Sequence, residues 1–161
     1  MASDFNLRFW GVRGSIACSG PRTVRYGGNT SCIEVRCGER LLIFDGGTGL
    51  RYLGNTLMGK EGGPLDADLF LTHTHFDHVC GLPFFRPFFE PKNRWRLWAG
   101  HLAEGMTLRR VLGEFMMSPL FPVPPQVFRA RMEYREFKAG ETLQAGPQVA
   151  EATASPNHPD G

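Results

Sequence analysis

A run of six residues, His73-Thr74-His75-Phe76-Asp77-His78, constrains what this chain can fold into more than any other feature. It directly follows the apolar stretch Asp68-Leu69-Phe70-Leu71-Thr72. A strand over that stretch would run into a core and deliver the run at its carboxyl end, where open α/β sheets place their chemistry. His73 and His75 are two apart, so in extended backbone they project to the same side. Asp77 and His78 come after a turn and approach from another direction. One pair can therefore hold one cation and the second pair a neighbouring one. Imidazole and carboxylate together suit zinc, or another first-row divalent ion such as manganese. At this chain's own His and Asp frequencies the pattern would arise by chance at roughly one or two in ten thousand, so a metal-binding role is the working expectation.

Alternating or apolar runs predict strands over residues 6–11, 31–36, 41–45, 68–72, 94–99, 129–137 and 148–154. Residues 37–40 read as a hairpin turn and 59–64 as a surface loop. A helix is expected over 50–58, a short one opening at Asp77 and ending near Pro83, and a third over 107–117 with Leu108, Val111, Leu112, Phe115 and Met116 on one face. Residues 119–125 hold four prolines and exclude helix or central strand. Two readings stand for that segment: a stiff flap over a groove mouth, or a plain connection pinned to the core. No repeat, charge block or linker divides the chain, so one domain over residues 1–161 is expected.

Hydrophobic residues at 42% and charged residues at 21% are ordinary for a globular protein. A net charge of +2 is too small to argue for nucleic acid by itself. Neither a signal pattern nor an apolar stretch of membrane-spanning length is present, so no membrane partner is expected. Cys18, Cys32, Cys37 and Cys80 lack C-x-x-C spacing and disulfide-scaffold density, which makes a reducing cytoplasm the expected home. Thirteen Phe and three Trp predict a ring-rich core or an apolar lip around a groove.

Side features have two readings each. Asp45 ends an apolar strand ahead of Gly46, Gly47 and Gly49; a carboxylate there can orient a ligand histidine, or simply sit in a turn. Arg13 can meet a substrate phosphate bidentately, or stand solvated. His101 has no ligand spacing to a partner and is expected at the surface or at a helix entry, while Cys80 is expected to point into the core as a small apolar group.

The H-x-H-x-D-H run after an apolar strand resembles the signature of the metallo-β-lactamase superfamily, most of whose members are two-metal hydrolases. Phe9-Trp10-Gly11-Val12-Arg13-Gly14-Ser15, Tyr26-Gly27-Gly28-Asn29-Thr30-Ser31-Cys32, Phe44-Asp45-Gly46-Gly47-Thr48-Gly49-Leu50 and Gly81-Leu82-Pro83 resemble the branch of cyclic phosphodiesterases and tRNA 3′-processing nucleases. β-Lactamases and thiolester hydrolases of the family usually carry glycine where Leu82 stands. The resemblance runs from about Phe9 to the last residue. It implies an α/β fold, the αββα sandwich of two similar halves with the site in the groove between them. It also implies two divalent ions, zinc or manganese. Asn157-His158-Pro159 resembles the stretch with the family's third histidine ligand, so His73, His75 and His158 would hold one ion, and Asp77 and His78 the other. Asp77 would also orient the nucleophile, and Asp45, Asn29 and Thr30 would support the site. The bridging aspartate and last histidine, which the family draws from its second half, are not in this sequence. The chain is therefore expected to be an N-terminal half to two-thirds of the fold, truncated at its C-terminus; a minimal domain that lost the rest is the rival reading.

The expected function is a metal-dependent phosphodiesterase that cleaves a small cyclic or nucleotide phosphodiester with hydroxide supplied by the metal pair. Alternatives are a tRNA 3′-processing endonuclease, an ester or thiolester hydrolase on the same fold, and a non-catalytic metal-binding or sensing module. The expected partner is the small phosphodiester; nucleic acid is compatible but not favoured, and a homodimer is compatible.

Overall fold

The computed structural model describes residues 5–59, 63–138, 140–144 and, for the backbone alone, 152–153. β1 (Phe5–Gly11), β2 (Cys32–Cys37) and β3 (Arg40–Phe44) each run antiparallel to the next, and β4 (Asp66–Leu71), β5 (Arg94–Ala99) and β6 (Arg131–Glu136) follow β3 in parallel, side by side in chain order. The change of direction follows from the connections. Cys37 pairs with Arg40 across the two residues Gly38 and Glu39, a turn so tight that it can only reverse the chain. Between β3 and β4 lies helix α1 (Gly49–Gly59), long enough for a crossover that returns a parallel strand. α2 (Phe76–Val79) with two short 3-10 turns, and α3 (Leu108–Phe115), fill the next two crossovers. A separate antiparallel pair joins β7 (Thr142–Leu143) and β8 (Ala152–Thr153).

Helices cover one face of the sheet. Leu50, Leu53 and Leu57 of α1 and Leu108 and Leu112 of α3 pack with Ile43, Leu69, Leu71, Trp95 and Leu97 from the strands. The 3-10 turns add a ring cluster in which Phe85, Phe88 and Trp95 meet edge to face at 4.8–5.5 Å. On the other face the register aligns Phe44, Phe70 and Trp98 across β3, β4 and β5. Their rings stack at 5.4 and 5.6 Å, and the Arg135 guanidinium closes the row 4.9 Å from the Trp98 ring.

Two residues back along β4 and β5, the same face carries a buried charge network. Asp68 is fully buried and accepts from Arg96 at 2.7 and 3.0 Å, from Arg40 at 2.7 Å and from Trp98 Nε1 at 2.9 Å. Arg96 also pairs with Asp66. The hydrogen bonds to Asp68, with those to Asp66, raise the Arg96 pKa despite its burial. The charges are tolerated there because every lone pair that faces the interior has a donor.

Several boundaries depart from the sequence expectation. α2 begins at Phe76, with His75 as its extended N-cap, so Asp77 lies inside its first turn; it ends at Val79, and a separate 3-10 turn covers Leu82–Phe84. α3 is shorter than its apolar pattern because Thr107 caps it, accepting from Arg110 N at 3.2 Å, and Met116 leaves helical geometry. Of the strand expected over 148–154 only Ala152–Thr153 is described. The proline segment is tied down by rings: Phe121 meets Phe84 at 6.0 Å and Phe115 at 6.4 Å, and residues 125–127 form a 3-10 turn that leads into the buried Phe128. Among the described residues no helix is long and apolar enough to cross a membrane.

Candidate metal centre

β4 ends at Leu71, and the next seven residues gather around its carboxyl end. The His73 ring centroid lies 4.6 Å from that of His75 and 4.0 Å from that of His78. His78 therefore meets His73 as well as Asp77: its Nε2 is 3.4 Å from the carboxylate of Asp77, a buried residue.

Asp45, at the end of the neighbouring strand, organises this cluster. Its carboxylate accepts from Ser31 Oγ at 2.9 Å, Thr72 N at 2.9 Å, Thr72 Oγ1 at 2.8 Å and His78 Nδ1 at 2.8 Å. Burial pushes the Asp45 carboxyl up, but the hydrogen bonds from His78 and Thr72 outweigh it and hold the group below its ordinary range. The same hydrogen bond raises the His78 pKa against the opposing effect of burial. A left-handed backbone at Asp45, φ 66°, turns the side chain back under the motif.

Proton positions follow from what each group can donate. The Thr72 hydroxyl has one proton, and a carboxylate only accepts, so that proton belongs to Asp45. Toward His73 Nδ1, 3.1 Å away, the hydroxyl is then the acceptor, which assigns the His73 proton to Nδ1 and its lone pair to Nε2. His78 likewise commits Nδ1 to Asp45 and turns Nε2 toward Asp77. Fixing one ring nitrogen so that the other is presented is how proteins orient histidine ligands.

Glycines let the backbone close underneath. A Cβ on Gly47 would stand 2.4 Å from the Asp77 carbonyl oxygen, and one on Gly81 would stand 2.0 Å from the Gly47 carbonyl oxygen. Gly46 N donates to His78 O at 2.7 Å and Gly81 N to Gly46 O at 2.8 Å, so the turn after β3 and the motif helix are bonded main chain to main chain.

Residues 25–142 match the family model of the metallo-beta-lactamase superfamily. The chain belongs to that superfamily. Members of the metallo-β-lactamase superfamily are generally metal-dependent hydrolases. No curated protein matches the sequence at a significant level. Among solved structures, the metallo-β-lactamase-fold protein YhfI from Bacillus subtilis is similar at a TM-score of 0.55 and 15% identity, covering 89% of this chain and 50% of that one. A diphosphatase from the PhnP family is similar at a TM-score of 0.56 and 18% identity, covering 88% of this chain and 53% of that one. The chain thus spans about half the length of these neighbours, whose likeness shows the fold.

The superfamily typically binds divalent metals. Among the described residues, no three His, Cys, Asp or Glu side chains are drawn around one point so as to hold an ion; the imidazoles lie against one another instead. The donor chemistry does fit one: the His73 imidazole with its lone pair assigned to Nε2, two further imidazoles 4.6 and 4.0 Å from it, and a buried carboxylate beside them. His158, expected as a further ligand, lies outside the described residues.

Other expected site residues lie farther out. Asn29 Oδ1 accepts from Thr48 Oγ1 at 3.2 Å, and Thr30 and Thr48 exchange backbone-to-hydroxyl bonds at 2.8 and 2.9 Å, bracing the loop behind the motif. Arg13 is exposed, with its guanidinium 3.8 Å from Cys18 Sγ. Cys80 is buried, and burial raises its thiol pKa, as burial does for Cys32; both are poor ligands on that account.

His101 corrects the sequence expectation. Its Nε2 is 3.1 Å from the Thr74 hydroxyl, inside the motif, so it belongs to the wall of the site. The missed signal was its place two residues beyond β5, beside β4 in a parallel sheet, where strand-end loops converge. Thr72 and Ser31 were missed as well, because lone hydroxyls carry no spacing pattern. Within the motif Phe76 is 62% exposed, with its ring 6.3 Å from that of Phe115.

Proposed function

We propose that this chain is the metal-binding portion of a hydrolase that cleaves a small cyclic or nucleotide phosphodiester. The observation that carries the reading is the His73, His75, His78 and Asp77 cluster at the end of β4, with His78 Nδ1 held 2.8 Å from Asp45. His73 and His75, with His158, would hold one ion, and Asp77 and His78 a second; zinc is the first candidate and manganese the second. Such ions supply Lewis acidity and make hydroxide accessible near neutral pH. The chain's own residues present the donors: Asp45 and Thr72 accept the Nδ1 protons of His78 and His73. A phosphorus centre is favoured over a carbon ester by the N-terminal motifs and by Leu82 where the esterase branches carry glycine. That one fold neighbour is a diphosphatase agrees with this choice. Four free thiols support a reducing compartment, the cytoplasm.

The test is turnover by the longest natural polypeptide that contains this chain, with bis-p-nitrophenyl phosphate, p-nitrophenyl acetate and a thiolester as substrates. Hydrolysis of the phosphodiester alone, abolished by chelation and restored by zinc or manganese, is the expected outcome. Ester or thiolester turnover, or phosphodiester turnover that survives chelation, would refute it.

A further inference from the structure

We propose that the backbone N–H of Ser15 is a positioning group for the Asp77 carboxylate, which makes the loop after β1 a working part of the metal centre. The inference rests on Asp77 facing an ion, as proposed above. Ser15 N donates to Asp77 Oδ2 at 2.7 Å, across 62 residues of sequence. Asp77 is buried, so a charge-assisted bond from a fixed amide determines which way its carboxylate plane turns.

The local backbone is shaped around that bond. Ile16 N donates to Gly14 O at 2.8 Å with Ser15 between them at φ 65°, a three-residue turn of the strained hand. Serine is not glycine, and a side-chain-bearing residue in this region costs about 1–2 kcal/mol. Such an outlier persists where its surroundings over-determine it, and here they do. Val12 N and Arg13 N both donate to Asn29 O, at 3.0 and 2.9 Å, and Cys18 N donates to Gly28 O at 2.9 Å. At the loop's two ends a Cβ on Gly11 would fall 1.8 Å from Thr30 O, and one on Gly28 would fall 1.7 Å from Cys18 O. Main chain therefore lies directly on main chain at both anchors, and the turn between them holds its N–H over Asp77. Ser15 itself is exposed, so packing of its side chain does not explain the conformation. Delivering the amide does.

The test uses the longest natural polypeptide that contains this chain with zinc alone as the probe, its affinity measured by chelator competition in the parent, Ser15→Pro, Ser15→Gly, Asp77→Ala and the Ser15→Pro/Asp77→Ala double variant. Ser15→Pro deletes the donor and, because proline fixes φ at about −65°, also reverses the turn that aims it; it is expected to weaken zinc about 10-fold or more, in the range that removal of a partner behind a ligand produces. Ser15→Gly keeps both the N–H and the φ and should bind as the parent does. In the Asp77→Ala background the proline should cost nothing further, because its effect acts through Asp77. The second readout is the residue-15 amide proton, expected far downfield in the parent and in Ser15→Gly and shifted upfield in Asp77→Ala; it keeps the proposal testable if the proline variant does not fold. Equal zinc affinity in the parent and Asp77→Ala would refute the ligand reading of Asp77 itself. Weaker binding in Asp77→Ala with no effect of Ser15→Pro, or an amide shift indifferent to Asp77→Ala, would overturn this inference alone.

Discussion

Replacing Asp45 with asparagine isolates the charge that organises the motif. The carboxylate accepts four hydrogen bonds at 2.8–2.9 Å, from Ser31 Oγ, Thr72 N, Thr72 Oγ1 and His78 Nδ1. Asparagine retains one acceptor oxygen. With that oxygen toward Thr72, its amide faces Ser31 and His78; the hydroxyl can rotate and the imidazole can change tautomer, so those contacts persist as neutral ones. The loss is then the charge assistance of three or four bonds, each about 1 kcal/mol, or about 2–4 kcal/mol after relaxation. For a chain of this length that lowers Tm by about 4–16 °C. The dependence on pH is sharper evidence than the magnitude. Asp45 has a lowered folded pKa, so its contribution is complete above the unfolded value of about 4 and is lost as pH falls through the folded value. His78 has a raised folded pKa, so its contribution is complete below the unfolded value of about 6.5 and is lost as pH rises through the folded value. Both are present together between about pH 4 and 6.5, where the difference in Tm should be greatest and from which it should shrink on either side. Chelator-treated protein is melted across pH 3–9 while the His78 Cε1 proton is titrated by NMR. A flat difference in Tm, or a His78 titration unchanged by Asp45→Asn, would show that the pair does not organise the site.

Gly47→Ala forces a Cβ to within 2.4 Å of the Asp77 carbonyl oxygen and 2.7 Å of the Ser31 carbonyl oxygen, both main-chain atoms that no side-chain rotation can clear; a loss of about 3 kcal/mol in urea unfolding is expected, and a neutral result would mean that the turn after β3 can move. Arg96→Met strips the fully buried Asp68 of two hydrogen bonds and should cost about 3–5 kcal/mol, whereas Arg110→Ala, whose i,i+4 partner Glu114 is exposed, should cost under about 0.5 kcal/mol in the same assay.

What the sequence alone determined is local. Strand β5 was legible to the residue, because Arg94, Trp95, Arg96 and Leu97 alternate charged and apolar and Asn93 and Gly100 bound the run. The superfamily was legible because His73, His75, Asp77 and His78 lie within six positions. Asp45 was legible as a candidate partner for a ligand histidine, though not for which one. Tertiary structure alone decided that His78 turns to meet His73, that Asp45 and Thr72 set the proton positions of both, and that His101 enters the wall of the site through Thr74. It alone brought the Ser15 amide to Asp77 from 62 residues away. Periodicity and spacing encode contacts within one element, since side-chain direction repeats along a helix or strand. A single hydroxyl or main-chain N–H leaves no such pattern, and its partner exists only once the parallel crossovers have laid the strand ends side by side.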